Sequence, residues 1–191
     1  MSDQSHPGER TTYLLVDGEN IDATLGTTIL RRRPQPEDRP RWERPIAHLK
    51  ERWGQDVVGL FFLAVNGEMP MSFVQALMAT GYRPVPLSGP PDVKIVDVAI
   101  QQTLEALLDR DADVVLASHD GDFAPQMDAL AEDDAGRRLG LLAFPELVSG
   151  ALRRVPDLEI IDLEHEVGAF NQPLPRLRVV PIEEFDPLVY L

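Results

Sequence analysis

VVLASHDGDF, residues 114–123, runs from an uninterrupted apolar stretch straight into an acidic loop. Val114, Val115, Leu116 and Ala117 fit a strand buried on both faces, and Ser118, His119, Asp120, Gly121 and Asp122 follow at its carboxyl end. Beyond Pro125, Met127, Leu130 and Ala131 keep helical spacing, so Asp122 is a candidate N-cap for a following helix. Ligands bind at such strand-to-helix edges in open α/β sheets. Asp120 and Asp122 thus stand where a ligand is expected.

Two further acidic positions fall on the same edge. Tyr13–Val16 is an apolar run ending in Asp17, followed by Gly18, Glu19 and Asn20, and it repeats the arrangement at Asp120. Asp97 lies on a helix opened by the Ser88–Gly89–Pro90–Pro91 turn and marked by the stripe Val93, Val96, Ile100, Leu104 and Leu107. At roughly 100° per residue it falls about 60° from the centre of that stripe, closer to the core than Lys94 or Gln101. Burying a lone carboxylate is costly, so Asp97 calls for a cation, a proton or a hydrogen-bond donor. Taken singly, Asp17–Gly18 and Asp120–Gly121 are ordinary turn dipeptides. Grouped with Asp97 and Asp122 they repel one another unless a hard divalent ion such as Mg²⁺ or Mn²⁺ neutralises them. Metal-dependent phosphodiester or phosphomonoester chemistry is the leading class.

The rest of the chain alternates strands and helices. Met1 to Arg10 is polar and aperiodic, as a disordered terminus is. Asn20 or Asp22 can cap a weak helix reaching Leu30, and Pro45, Ile46, Leu49 and Trp53 belong to a second helix stopped by Gly54. Val57–Ala64 is a buried strand, Met71–Ala79 a helix with Phe73, Leu77 and Met78 apolar, and Tyr82–Leu87 a proline-interrupted strand expected near a sheet edge. Val93–Leu108 and Phe123–Ala131 are helices flanking the 114–117 strand. Arg138–Phe144 is a fifth strand, Pro145–Leu152 a short helix and Leu158–Leu163 a sixth strand. This alternation implies an α/β fold with a parallel sheet and helices on both faces.

Composition narrows the classes. At 191 residues, 43% hydrophobic and 26% charged, the chain fits one globular domain with a short extension. The absence of Cys excludes disulfides, thiolate nucleophiles and cysteine zinc sites. MSDQSHPGER lacks an apolar signal core and no apolar run approaches the ~20 residues that span a bilayer, so a cytoplasmic protein without membrane association is expected. A net charge of −14 argues against tight nonspecific binding to long duplexes, although bound divalent ions and local patches leave a nuclease possible. Arg31, Arg32, Arg33, Arg39, Arg41 and Arg44 form one such patch. It is either a solvated loop kept extended by Pro34, Pro36 and Pro40, or a phosphate-contacting surface. In the tail, Phe170, Leu174, Leu177, Val179, Val180, Phe185, Leu188 and Tyr190 are interrupted by Pro173, Pro175, Pro181 and Pro187, which forbids a long helix. An arm laid over its own domain is the favoured reading, and a protein-binding or self-associating segment the other.

YLLVDGENI at 13–21, KIVDVAI at 94–100 and ASHDGDF at 117–123, in that order, resemble the NYN domain family of PIN-like ribonucleases. The resemblance covers residues 12–163 and leaves 164–191 as a proline-rich carboxyl-terminal arm. It implies a PIN-like three-layer α/β/α sandwich with a mainly parallel sheet, a clustered-aspartate Mg²⁺ or Mn²⁺ site, and RNA as substrate. Matched position by position, the catalytic and metal-binding residues are Asp17, Asp97, Asp120 and Asp122. Asp17 and Asp120 are the best direct ligands, and Asp97 and Asp122 bind directly or through water. Asn20, Lys94 and Ser118 are candidate substrate-binding residues, with Arg31, Arg32 and Arg33 available to phosphates.

Two other readings use the same residues. In a catalytically silent NYN-like module, the arginine segment or tail binds RNA or protein without chemistry. In a haloacid dehalogenase-like phosphatase, Asp17 is a phosphorylated nucleophile, Lys94 its charge partner, and Asp120 and Asp122 hold Mg²⁺, with Glu19 where that family uses Asp. Glu19 reads as an outward-facing turn residue, His119 as incidental, Ser118 as a hydrogen-bond donor to an aspartate, and Glu132, Asp133 and Asp134 as a solvated acidic helix end.

Overall fold

The apolar runs become six strands: β1 (Thr11–Asp17), β2 (Val57–Ala64), β3 (Tyr82–Leu87), β4 (Ala112–Ala117), β5 (Leu139–Ala143) and β6 (Leu158–Asp162). They pair in the order β3-β2-β1-β4-β5-β6, and every pairing is parallel. The computed structural model describes residues 10–133, 135–177 and 179–191. The disorder expected up to residue 9 and the reading of Asp134 lie outside the described residues.

Alternation along each strand divides the core between two faces. Leu14, Val16, Phe61, Leu63, Val115 and Ala117 point to one side. There they meet α1 (Gly18–Thr24), α2 (Glu43–Trp53) and α3 (Met71–Ala79) through Ile21, Ile46, Leu49, Trp53, Val74 and Leu77. Leu15, Phe62, Val114, Leu116 and Leu141 point to the other, against Val96, Ile100 and Leu104 of α4 (Ile95–Ala106) and Met127 and Leu130 of α5 (Ala124–Glu132). The result is a three-layer α/β/α sandwich. β1 and β4 are central and buried on both faces, which is why they read as continuous apolar runs. Between them the strand order reverses, and the loops following both strands open at that point.

Several expectations change in detail. Asp17, rather than Asn20 or Asp22, caps α1, whose last turn widens into a π-helical segment over Leu25–Leu30 and ends at Arg31 in the left-handed region. On α3 the buried residues are Val74 and Leu77; Phe73 and Met78 are exposed, because β3 lies at the sheet edge and α3 covers only part of it. Val93 precedes α4 and is exposed. Asp122 does not cap α5: the carboxylate of Asp120 accepts from the Asp122 amide and caps a 3₁₀ turn over Gly121–Phe123, so the helix starts beyond that turn. Instead of one helix over Pro145–Leu152 there are two separate 3₁₀ turns, Pro145–Leu147 and Leu152–Arg154. Asp133 is ion-paired with the buried Arg137 side chain rather than free in solvent.

Packing continues past Leu163. Val167 and Ala169 are buried, Phe170 stacks on Phe144 at 5.9 Å, and Leu174 packs on the same core. Arg44 ties this segment to α2 through the Gly168 and Phe170 carbonyls and Asn171. Beyond Arg176 the chain turns outward, leaving Leu177, Val179, Ile182, Leu188 and Tyr190 exposed.

Candidate metal centre

Register delivers the site. Val16 pairs with Ala117, so Asp17 and the Ser118–Asp122 loop leave adjacent strands at the same height. Asp17 is 2% exposed. Its Oδ1 accepts from the Asn20 amide at 3.1 Å and its Oδ2 from the Ser118 hydroxyl at 3.1 Å. Burial pushes the Asp17 carboxyl up to about 6, opposed by these two hydrogen bonds and reinforced by the nearby Asp97. Gly18 must follow, since a Cβ there would stand 2.5 Å from the Phe61 ring.

The Ser118 hydroxyl also accepts from the Asp120 amide at 3.2 Å, which fixes the loop that presents Asp120 and Asp122. Asp97 comes from the first turn of α4, on the opposite wall. One carboxylate oxygen from each of Asp97, Asp120 and Asp122 lies within 4.8 Å of the others. Asp97 and Asp120 are half-buried and Asp122 is exposed. Hard oxygen donors grouped in this way, open to solvent on one side, fit a divalent ion that keeps several waters. The cluster can hold a divalent metal ion.

Lys94 is the cation present. Its Nζ lies 3.4 Å from Asp97 and 3.5 Å from Asp122, and the ammonium is held above its ordinary pKa by Asp97 first and by Asp120 and Asp122 beyond it. The side chain is 71% exposed, so these contacts are solvent-screened. The partner that the inward placement of Asp97 called for is therefore a lysine one turn earlier.

A cleft of 360 Å³ joins these groups. Asp17, Asn20, Lys94, Asp97 and Asp120 line it together with Glu19 and Asn66; Asp122 stands at its rim through the Lys94 contact. Asp17 shares the cleft but is outside the converging trio, its oxygens being directed to Ser118 and Asn20. Asn66, just past the end of β2, was missed, although a polar residue following an apolar run is the same signal that marked Asp17. Glu19 accepts from the Ala64 amide at 3.3 Å and so braces β2.

His119 is a structural part of this edge. Its Nε2 accepts from the Phe144 amide at 2.8 Å, so the neutral ring carries its proton on Nδ1, 3.1 Å from Asn20 Oδ1. The His119 amide donates to the same oxygen at 2.9 Å. Asn20 is thereby oriented, with its amide NH₂ left to offer a ligand. Burial drives the His119 pKa down to about 4. Of the arginine segment, Arg32 pairs with Asp38 and Arg39 with Asp22, while Arg31 and Arg33 are exposed; none of the three residues Arg31, Arg32 and Arg33 lines the acidic cleft.

No family model matches this sequence, and no curated protein is similar to it. Among solved structures the chain is similar to a protein of unknown function from Vibrio parahaemolyticus, with 18% identity and a TM-score of 0.61. The alignment covers 85% of this chain and 96% of that one, and it bears on the fold alone. No helix among the described residues is long and apolar enough to cross a membrane.

Proposed function

We propose that this protein is a metal-dependent ribonuclease of the NYN, PIN-like type, acting at the cleft between β1 and β4. The observation that carries the reading is the convergence of the Asp97, Asp120 and Asp122 oxygens at the point where strand order reverses. A Mg²⁺ or Mn²⁺ ion bound there supplies a Lewis acid for a phosphodiester oxygen and lowers the pKa of a water. Asp97, Asp120 and Asp122 would hold it. Asp17, kept in place by Ser118 and Asn20, adds negative charge behind them and orients solvent in the cleft. Lys94 exchanges its carboxylate partners for a substrate phosphate, and Asn20 donates its amide N–H to the same group. Asp17 is less suited to be a phosphorylated nucleophile, because it is buried and both its oxygens already accept hydrogen bonds.

The test is cleavage of a mixed pool of single-stranded and structured RNAs in Mn²⁺, Mg²⁺ or EDTA, by wild type and a folded Asp17→Asn/Asp120→Asn variant. Metal-dependent cleavage lost in the variant is the expected result. Lys94 also favours a second reading, a catalytically silent RNA- or protein-binding module, since its ammonium already neutralises part of the trio. No cleavage in any metal, with RNA affinity surviving Asp17→Asn, would select it.

A further inference from the structure

Beside the acidic cleft a second one of 630 Å³ opens on the face covered by α1, α2 and α3. Glu19 lines both, so the two clefts adjoin. The second cleft is more apolar, being walled by Trp42, Phe61, Phe73 and Leu77, with Glu19, Asp22 and Glu43 among its polar lining. Trp42 and Phe73 meet the Phe61 ring edge-on at 5.1 and 5.5 Å, which fixes the orientation of these rings. Phe73 is nonetheless 38% exposed, so it packs against Phe61 and is still reachable from solvent.

Two arginines line the same cleft. Arg39 is held by Asp22 at 2.7 and 3.1 Å. The Arg41 guanidinium has no hydrogen-bond or ion-pair partner among the described residues. An apolar, aromatic cavity with an unspent guanidinium suits a flat apolar ring system carrying a nearby anion, and its volume is that of a small-ligand site.

We propose that this cleft is a nucleobase subsite, taking an unpaired base against Phe73 while an adjacent phosphate meets Arg41. The assignment rests on the nuclease reading for the direction in which the strand enters the acidic cleft. Only an unpaired base can turn into such a cavity, so the substrate class is single-stranded RNA. Stacking also explains how a chain of charge −14 can take a polyanion: affinity comes from a few aromatic contacts instead of a long-range basic field.

The experiment is fluorescence anisotropy of a labelled single-stranded RNA hexamer and an abasic hexamer of the same backbone, in Ca²⁺ and in EDTA. The wild-type chain, Phe73→Ala and Arg41→Gln are compared, with Mn²⁺-dependent cleavage read in parallel. The base-bearing hexamer should bind at least about tenfold tighter than the abasic one, and Phe73→Ala should erase that difference. Arg41→Gln, a change on the half-buried rim, should weaken both oligomers several-fold without altering the fold. Equal binding of the two hexamers, no binding by wild type, or variants indistinguishable from wild type would overturn the subsite. So would a change in oligomeric state as the sole effect of Phe73→Ala, since protein would then cover the cleft. Base-dependent binding without cleavage keeps the subsite and removes the nuclease; cleavage indifferent to Phe73→Ala does the reverse.

Discussion

Two groups of three carboxylates lie on the carboxyl edge of the same sheet. Glu146, Asp162 and Glu164 surround the Arg176 guanidinium at 2.5, 3.0 and 2.9 Å, and its side chain is 4% exposed. Beside Asp97, Asp120 and Asp122 the cation among the described residues is Lys94, 3.4 Å from Asp97 and 3.5 Å from Asp122 and 71% exposed. In the first group a planar, fully charged fork satisfies the acids from within the chain and holds Asp162 and Glu146 below the usual carboxylate range. In the second, a hydrated point charge at the cleft mouth is a cation that another cation can replace. Trios of carboxylates therefore make a closed ionic core in one place and an open, exchangeable site in the other. The two are joined: Arg176 lies over the Phe144 ring at 5.1 Å, Phe144 stacks on His119 at 5.4 Å, and His119 holds Asn20.

The largest effect expected from this contrast is on Arg176. Arg176→Ala leaves three carboxylates without their shared cation and should cost about 3–5 kcal/mol in urea unfolding, as breaking a buried ion pair does. A loss under about 1 kcal/mol would mean that the two groups differ less than their geometry implies.

The pH dependence of stability separates the two buried groups of the edge. Folded His119 resists protonation until about pH 4, whereas its unfolded pKa is near 6.5, so its contribution to stability rises with pH between those values. Asp17 has the opposite sign: folded it keeps its proton to about pH 6, against 3.8 unfolded, so its contribution is full below 3.8 and lost as pH rises through 6. The two slopes largely cancel in the wild type. Asp17→Asn should unmask a gain of about 3 kcal/mol from pH 4 to 6.5, read from urea midpoints. A variant profile parallel to wild type would contradict the burial of one of the two groups.

Metal should stabilise the open group and not the closed one. Mn²⁺ at about 100 times its Kd should add about 2.7 kcal/mol to unfolding stability, an increment absent in Asp120→Asn. The smallest effect is that of Lys94→Ala, which should leave the unfolding midpoint in place while tightening Mn²⁺ binding several-fold, checked by calorimetric titration. Weaker Mn²⁺ binding in that variant would remove the exchange idea.

Strands were legible because Tyr13–Val16 in β1 and Val114–Ala117 in β4 are unbroken apolar runs in a doubly covered sheet, so their ends, and hence Asp17 and Asp120, could be set on one edge. The inward turn of Asp97 followed from helical period. What stayed hidden depended on contacts between distant segments. His119 gains its role only from the Phe144 amide, 25 residues away, and Arg176 finds Glu146, Asp162 and Glu164 only once the tail folds back. The exposure of Phe73 stayed hidden because periodicity cannot show that an edge strand leaves part of its covering helix open. Asp122 has no capping role because Asp120, two residues earlier, accepts from its amide and opens a 3₁₀ turn, beyond which the helix starts.

Titration of wild type, Asp120→Asn and Glu146→Gln with Mn²⁺, followed by electron paramagnetic resonance of the free ion, bears most directly on the difference between the two carboxylate groups. The expected result is a Mn²⁺ site in wild type that is kept in Glu146→Gln and weakened at least tenfold in folded Asp120→Asn. Absence of Mn²⁺ binding by wild type, or binding unchanged in Asp120→Asn, would contradict the assignment of a metal centre to Asp97, Asp120 and Asp122.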